Sequence, residues 1–169
     1  MGIETSEAYR LRSATPADIA AIVRLTNLAY AIERPLIRGD RTDAGEIGER
    51  LGKGRFLVIE EIAGGDLCGS IFMSTDKGRG YFGMLAVDPA LQGRGLAGSL
   101  IRAVEAECRR EGCLFLDITV LSLRKELFPF YRHLGFAASA VLPHPRPELL
   151  LVPLHMVQMS KALRPDAEL

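Results

Sequence analysis

One stretch of this 169-residue chain limits its fold and its ligands more than any other. Residues 85–98 read Leu-Ala-Val-Asp-Pro-Ala-Leu-Gln-Gly-Arg-Gly-Leu-Ala-Gly, so an apolar strand predicted over 81–87 leads into a glycine-rich loop and then a helix. Proteins build phosphate sites in this order, because free backbone N–H groups and the positive end of the helix dipole both face the anion. The stretch therefore predicts a ligand that carries phosphate.

Two classes of phosphate ligand fit these glycines. Gly93, Gly95 and Gly98 have the spacing of a dinucleotide fingerprint, and Asp117 lies about 20 residues further on, where that motif needs an acid. In that motif the first glycine follows the strand directly, whereas here residues 88–92 intervene. Asp117 is also followed by Ile-Thr-Val, which places it inside an apolar strand and not at the strand's end. An NAD(P)-binding oxidoreductase is therefore the weaker alternative.

The loop resembles a different signature more closely. Gln92-x-x-Gly95-x-Ala97 is similar to the Gln/Arg-x-x-Gly-x-Gly/Ala signature of the GNAT family of N-acetyltransferases. In that family the preceding strand also ends in a Leu-Ala-Val-Asp-Pro type of sequence. Residues 130–136, Phe-Tyr-Arg-His-Leu-Gly-Phe, resemble the late motif of the family. Both motifs occur in the family's order, and the order of elements extends the resemblance over nearly the whole chain.

The resemblance implies a fold, an activity and a co-substrate. The fold is an α/β GNAT (acyl-CoA N-acyltransferase) fold, with a mixed central sheet of about seven strands and about four flanking helices. The activity is that of an acetyl-CoA-dependent N-acetyltransferase. It transfers an acetyl group directly to the amine of a small molecule, or of a peptide or protein N-terminus, in a ternary complex. An alternative from another class is a non-catalytic acyl-CoA sensor or interaction module.

The same resemblance implies the site residues. The pyrophosphate of coenzyme A would lie on Gln92, Gly93, Arg94, Gly95, Leu96, Ala97 and Gly98. The pantetheine arm would pair with the backbone of Leu85, Ala86 and Val87, in a strand that splays from its parallel neighbour. Tyr131 stands where the family places a general acid. A phenol of pKa about 10 beside the sulfur can protonate the departing thiolate.

The general base is the point where the sequence departs from the family. Many members carry a glutamate at the position of Gly83 and an asparagine at the position of Arg124. The remaining candidates are Glu33, Asp40, His144, His155 or a chain of water molecules. The amine could also arrive already neutral. Loops 33–42 and 143–147 flank the acceptor site in this family, but their mixed charges leave the acceptor's identity open.

Hydrophobic periodicity and turn residues predict the elements between the motifs. Strands are predicted over residues 9–14, 55–62, 67–75, 81–87, 114–120, 136 onward and 155–161, and helices over 16–30, 43–52, 96–111 and 125–134. Short turns link the second, third and fourth strands, so these should form an antiparallel meander. A helix joins the fourth strand to the fifth, so this pair should be parallel.

Composition and cysteine usage set further limits. Lys and Arg number 21, as do Asp and Glu, and this balance provides no electrostatic footprint for nucleic acid or an anionic membrane. No apolar run approaches the ~20 residues that span a bilayer, and no secretory signal is visible. Neither the histidines nor Cys68, Cys108 and Cys113 have metal-ligand spacing. We therefore expect reduced thiols, no metal site and a cytoplasmic location.

The length predicts one domain with a substantial core. We expect this GNAT domain over residues 9–162, after a flexible N-terminus (1–8) and before a disordered tail (163–169). The assembly could be a monomer or a homodimer.

Overall fold

One mixed sheet of seven strands organises the fold. The computed structural model describes residues 7–164, and the strands follow the spatial order β1-β2-β3-β4-β5-β7-β6. They are β1 (Tyr9–Ser13), β2 (Arg55–Glu61), β3 (Leu67–Asp76), β4 (Arg79–Val87), β5 (Phe115–Leu121), β6 (Ala137–Leu142) and β7 (Met156–Ala162). β2, β3 and β4 form the predicted antiparallel meander, and β5 is parallel to β4 as predicted. β7 then lies between β5 and β6.

Four α-helices flank the sheet, which confirms the predicted architecture. They are α1 (Ile19–Ala29), α2 (Ala44–Leu51), α3 (Leu96–Arg110) and α4 (Leu127–His133). The carboxylate of Asp43 caps α2 by accepting the amide N–H of Glu46 (2.9 Å). α4 begins two residues after the predicted start at Lys125. The reason is Pro129, which has no amide hydrogen and fits only the first turn of a helix.

The helices cover the sheet with two apolar layers. The larger layer contains Leu100, Ile101 and Val104 of α3, which the helical period places on one face and which are fully buried. The smaller layer contains Ile22 of α1 and Ile47 of α2, both fully buried against β2, β3 and β4. The sheet is therefore fixed between helices, and its strand ends provide the positions for a site.

The two chain ends lie largely outside the described residues, and so do the flexible N-terminus and most of the tail predicted there. Leu163, which the sequence analysis assigned to the tail, is instead buried in the larger apolar layer. Its amide donates a hydrogen bond to the carbonyl of Leu114 (2.8 Å). Within residues 7–164, no helix has both the length and the apolar character that crossing a membrane requires.

The two central strands separate soon after they meet. β4 and β5 pair at three positions, Arg79 with Phe115, Gly80 with Leu116 and Tyr81 with Asp117. A bulge then bends β4, because its pairing with β3 shifts register and Met84 adopts a left-handed conformation (φ 51°). Beyond this point β4 continues beside β3, and β5 continues beside β7. The sheet therefore contains a gap between the last residues of β4 and β5.

Candidate active site

The glycine loop between β4 and α3 is an open cradle. The turn after β4 is fixed by Asp88, whose carboxylate accepts the amide N–H of Ala90 (2.9 Å). Gly93 and Gly95 both have a φ of 81°, a left-handed conformation that glycine adopts without the strain of a side chain. A Cβ atom at either position would meet no atom within 4 Å. The space above the loop is therefore free for a ligand.

The amides of this cradle have no partners of their own. Within the described part of the chain, no acceptor takes the amide N–H of any residue from 92 to 98. The first bonded amide of α3 is that of Ser99, which donates to the carbonyl of Gly95 (3.0 Å). α3 is 15 residues long and adds its dipole to these amides. Unpaired amides at the start of a long helix suit a pyrophosphate, so the cradle fits that part of coenzyme A.

Arg102 is a cation at the cradle that sequence reasoning missed. The helical period places it on the solvent face of α3, but its guanidinium folds back and donates to the Ser99 hydroxyl (3.1 Å). Its Nη1 atom lies 3.2 Å from the position of a Cβ on Gly98. The three- and four-residue spacings from Arg102 to Ser99 and Gly98 were the available signal. Arg94, by contrast, is exposed and approaches only the Tyr9 hydroxyl (3.5 Å).

The gap between β4 and β5 opens after Tyr81 and ends beside the cradle. Ala86 and Val87 pair with Ser70 and Gly69 of β3 on one side. On the other side, the pairing with β5 has already ended at Tyr81. The predicted pantetheine segment, residues 85–87, therefore has one free backbone edge that faces the gap. This geometry matches the splayed strand that the family resemblance implies.

Tyr131 of α4 lies against the same part of β4. Its ring packs on the rings of Phe82, Phe130 and Phe136, with centroids 6.2, 5.1 and 5.8 Å away. The residue is buried, but its hydroxyl has no hydrogen-bond partner among residues 7–164 and is not among the fully enclosed unpaired atoms there. The hydroxyl is therefore unpaired and not fully enclosed. Burial raises the pKa of Tyr131 well above its usual range, so the phenol keeps its proton.

Two further tyrosines lie close to Tyr131, and both were missed from the sequence. Negative charge on Tyr30 or Tyr81 raises the pKa of Tyr131, which reflects their proximity. Tyr30 follows α1 directly, and the guanidinium of Arg41 lies 5.3 Å from the centre of its ring. Burial raises the pKa of Tyr30 to about 12, against the opposing charge of Arg41. Tyr81 lies on β4 and is half-buried.

The Tyr81 side chain covers Gly83. A Cβ on Gly83 would lie 2.6 Å from the Tyr81 hydroxyl oxygen and 3.1 Å from the ring carbon that bears it. The ring therefore occupies the space that a side chain at position 83 would need. A larger residue at position 83 would therefore have to displace the end of the Tyr81 side chain.

An ion pair between Glu33 and Arg124 closes the cluster on the other side. Arg124 Nη1 donates to the Glu33 carboxylate (2.7 Å), and Arg124 Nε donates to the Glu126 carboxylate (2.6 Å). The side chains of Glu33 and Arg124 are only 10% and 17% exposed. Burial raises the pKa of Glu33, while the charge and hydrogen bond of Arg124 lower it. Arg124 therefore joins two segments that are 91 residues apart in sequence.

Of the four candidate bases, the structure brings only Glu33 to this cluster. Asp40 is exposed and lies 3.5 Å from the exposed Arg34. His144 accepts the amide N–H of Arg146 at Nδ1 (3.1 Å) within its own loop. His155 is exposed.

Two loops meet beside the cluster. Ile37 of loop 33–42 forms an antiparallel bridge with Leu150, which follows loop 143–147. The amide of Arg38 donates to the carbonyl of Leu149 (2.8 Å), and the amide of Leu151 donates to the carbonyl of Leu36 (2.9 Å). Loop 33–42 is therefore joined through its backbone to the segment that follows loop 143–147.

Two open clefts meet at Tyr81. One, of about 400 Å³, is lined by Glu46, Glu49, Arg50, Lys53, Phe72, Ser74 and Tyr81. The other, of about 350 Å³, is lined by Ser74, Asp76, Lys77, Arg79, Gly80, Tyr81, Asp117, Ile118, Thr119 and Gln158. Asp117 is already engaged there, because Arg79 donates two hydrogen bonds to its carboxylate (2.7 Å each). The acid that a dinucleotide site would need is therefore part of an internal ion pair.

Comparisons with known proteins agree with this geometry. The model of the acetyltransferase (GNAT) family matches residues 21–136. Ard1 of Thermoplasma volcanium is 20% identical, with a TM-score of 0.75 over 92% of this chain and 97% of that chain. The ribosomal-protein-S18-alanine N-acetyltransferase of Escherichia coli is 17% identical, with a TM-score of 0.71 over 95% and 97%. These two similarities establish the fold.

A third similar structure also carries a ligand. This is yncA of Salmonella typhimurium, described as an acetyltransferase and solved with its cofactor acetyl-CoA. It is 25% identical, with a TM-score of 0.71 over 96% of this chain and 98% of that chain.

Proposed function

Because the chain belongs to the acetyltransferase (GNAT) family and is an N-acetyltransferase that uses acetyl-CoA, we propose that it transfers the acetyl group directly to an amine beside Tyr131. The acceptor is a small-molecule amine or the N-terminus of a peptide or protein. One observation carries this proposal. The gap in the sheet lies beside an open cradle of unpaired amides, and the unpaired hydroxyl of Tyr131 belongs to a side chain that packs on Phe82 of the same strand.

The donor would be held mainly by backbone groups. The amides of Gln92, Gly93, Arg94, Gly95, Leu96, Ala97 and Gly98 would bind its pyrophosphate. The free edge of Leu85, Ala86 and Val87 would pair with the two amides of the pantetheine arm. This arrangement would place the thioester in the gap, and an amide N–H near Val87 would polarise its carbonyl.

The chemistry requires one bond exchange and two proton movements. The neutral acceptor nitrogen forms a bond to the thioester carbon, the carbon–sulfur bond breaks, and the sulfur leaves with the bonding electrons. Tyr131 donates its proton to this sulfur and regains one from solvent. The nitrogen loses one proton, and the products are an amide and a free thiol.

Direct transfer is supported by the lack of a suitable enzyme nucleophile. Cys68, Cys108 and Cys113 are all buried, and burial raises the pKa of each thiol. A thiol with a raised pKa forms little thiolate at neutral pH, and the thiolate is the form that acts as a nucleophile. The acetyl group would therefore pass to the amine without an acetyl-enzyme.

An acyl-CoA sensor without turnover is a second candidate, favoured by Gly83 and by the Arg124 ion pair. Two measurements separate these functions. In a thermal-shift titration, acetyl-CoA at 100 times its dissociation constant should add ~2.7 kcal/mol of stability, whereas NAD(P)H should add none. Thiol release in the presence of an amine panel then distinguishes the enzyme from the sensor. Stabilisation by NAD(P)H alone would contradict both the transferase and the sensor. Binding of acetyl-CoA without turnover of any amine would support the sensor.

A further inference from the structure

Tyr81 is the one polar side chain of β4 that reaches over the start of the gap. It is the last residue of β4 that pairs with β5, and its hydroxyl oxygen lies over the backbone of Gly83. This hydroxyl has no hydrogen-bond partner among residues 7–164, and it is not fully enclosed. Both clefts include Tyr81 in their walls. Its two lone pairs and one proton are therefore available to a ligand.

We propose that the Tyr81 hydroxyl positions the acceptor nitrogen, and that the site selects weakly basic amines, such as α-amino groups, over strongly basic alkylamines. The inference rests on the proposed acetyl transfer and specifies its acceptor class. The phenol oxygen accepts one N–H of a neutral amine and leaves the nitrogen lone pair free for the thioester carbon. A glutamate at position 83 would supply a full negative charge, but this chain has glycine there, and the Tyr81 hydroxyl lies in the space that a Cβ would take.

The charged groups around Tyr81 do not replace that missing negative charge. They are Arg79 on its own strand, Asp76 and Lys77 at the turn before it, Asp117 on β5, Glu46, Glu49, Arg50 and Lys53 on α2, Glu33 and Arg41 before α2, and Arg124 and Glu126 before α4. Glu33 and Glu126 share Arg124, and Glu46 lies 3.0 Å from Arg50 and 3.8 Å from Arg41. Asp117 is bound by Arg79. Glu49 is exposed on the solvent side of α2, near Lys53 in the same cleft.

The remaining groups that face Tyr81 are uncharged phenols. Burial keeps Tyr30 and Tyr131 protonated at neutral pH. Among the described residues that line the two clefts, Glu49 and Asp76 are the carboxylates without an ion pair, and both are exposed to water, which screens their charge. An ammonium ion at the Tyr81 hydroxyl would otherwise meet paired carboxylates and neutral hydroxyls. Only the neutral form of the acceptor would bind productively, and the proton would leave to solvent before binding.

The basicity of the acceptor then determines which fraction of it is in the neutral form that can react. An α-amino group has a pKa of about 7.8, so roughly one molecule in seven is neutral at pH 7. A lysine-type amine has a pKa of about 10.4, so roughly one in 2,500 is neutral. At equal intrinsic reactivity, the site would prefer the α-amino group by about 300-fold.

Calorimetry tests the protonation state without turnover. We would titrate the protein, saturated with free coenzyme A, with glycinamide and with propylamine, which are similar in size and differ in basicity. Phenylalaninamide and phenylethylamine form a second pair. Measured at pH 6.5 in buffers of different ionisation enthalpy, each bound amine should release about one proton. Release of no proton would mean that the ammonium form binds, and would overturn the inference.

The pH profile of turnover gives an independent readout. The acid limb of kcat/KM should follow the acceptor, so that its midpoint differs by about 2–3 pH units between the members of each pair. A midpoint that is the same for all acceptors would reveal an enzyme base and overturn the inference. A protein that binds acetyl-CoA but neither binds nor acetylates any amine would contradict the proposed transfer itself, and the inference with it.

Variants test the role of the hydroxyl. Tyr81→Phe keeps the ring over Gly83 and should weaken amine binding by about 2- to 12-fold, with the acid limb unmoved. Gly83→Ala should have a similar effect, because the new Cβ displaces the hydroxyl. Ser74→Ala is the matched control, since Ser74 pairs with Tyr81 and lines both clefts. Equal losses in Ser74→Ala and Tyr81→Phe, or no loss in Tyr81→Phe, would show that the Tyr81 hydroxyl does not position the amine.

Discussion

The donor side of the gap is made of backbone, whereas the acceptor side is made of side chains. On the donor side, the contacts are unpaired amides on residues 92–98 and a free strand edge at 85–87. On the acceptor side, four separate segments contribute the hydroxyls of Tyr30, Tyr81 and Tyr131 and the ion pair of Glu33 with Arg124. A backbone site needs only the right local conformation, but a side-chain site needs the whole fold. Substitutions should therefore affect the two sides separately.

The largest expected effect is the loss of the proposed acid on the acceptor side. Tyr131→Phe should lower kcat by about 100- to 1,000-fold, because no donor remains for the departing sulfur. The dissociation constant of acetyl-CoA should not change, because the donor side is intact. Steady-state thiol release and calorimetry measure the two quantities. An unchanged rate and pH profile would remove Tyr131 from the mechanism.

The ion pair of the acceptor side should have the next largest effect, this time on stability. Arg124→Ala leaves the buried Glu33 carboxylate without its partner and should lower the free energy of unfolding by about 2–4 kcal/mol. Arg34→Ala is the control, because its pair with Asp40 is exposed and should contribute within about 0.5 kcal/mol. Urea denaturation measures both. Equal losses in the two variants would mean that burial of the Glu33 pair has no energetic consequence.

Substitution of a cradle glycine should impair acetyl-CoA binding on the donor side most selectively. Gly95→Ala should weaken acetyl-CoA binding by about 10-fold, because its Cβ enters the cradle and strains a left-handed residue. Gly112→Ala is matched, since Gly112 has the same φ of 81° and equally open surroundings but lies at the end of α3. Both variants should lose about 1–2 kcal/mol of stability. If both weaken acetyl-CoA equally, backbone strain explains the loss and the cradle is not the donor site.

The smallest expected effect is a dependence of the acceptor side on pH. The pKa of Glu33 is raised in the folded state above its unfolded value of about 4.3, because burial disfavours the carboxylate. The stability that its protonated form contributes is therefore fully present below about pH 4.3 and is lost as the pH rises through the folded-state pKa. Arg124→Ala raises the pKa of Glu33 further. The loss of unfolding free energy in this variant, relative to the wild type, should therefore be about 1 kcal/mol smaller at pH 5 than at pH 8. If this loss of unfolding free energy were the same at both pH values, the Glu33 carboxylate would not be its cause.

The same contrast explains what the sequence predicts and what it does not. The cradle is local, so the order of strand, glycines and helix indicates it directly. The left-handed φ of Gly93 and Gly95 adds a conformational reason for these glycines that the sequence alone does not show. The meander and the parallel step to β5 are also readable, because they follow from the lengths of connections. The insertion of β7 between β5 and β6 depends on tertiary pairing, which no local pattern shows.

The sequence predicts the acceptor side only in part. Arg124 and Gly83 were identified as departures from the family, yet their partners Glu33 and Tyr81 could not be assigned from sequence. Glu33 lies 91 residues from Arg124, and only the packing of α1 against the sheet brings the two together. Tyr81 lies two residues from Gly83 on the same face of β4, so its proximity was deducible from the period of a strand. The orientation of the Tyr81 ring over Gly83 could not be deduced in this way.

The brief pairing of β4 with β5 has a consequence for local unfolding. The sheet consists of two blocks, β1 to β4 and β5 to β7, whose strands pair with each other at only three positions within residues 7–164. The ion pair of Arg79 with Asp117, the hydrogen bond from the amide of Leu114 to the carbonyl of Gly78 (2.8 Å) and the larger apolar layer also join them. Such blocks can open as separate units, with amide exchange rates that differ between them. A donor molecule that fills the gap would act as a temporary strand and couple the two blocks. Slower hydrogen exchange in both blocks on addition of acetyl-CoA, and not only around residues 85–98, would be the signature of a sheet whose cooperativity depends on its own substrate.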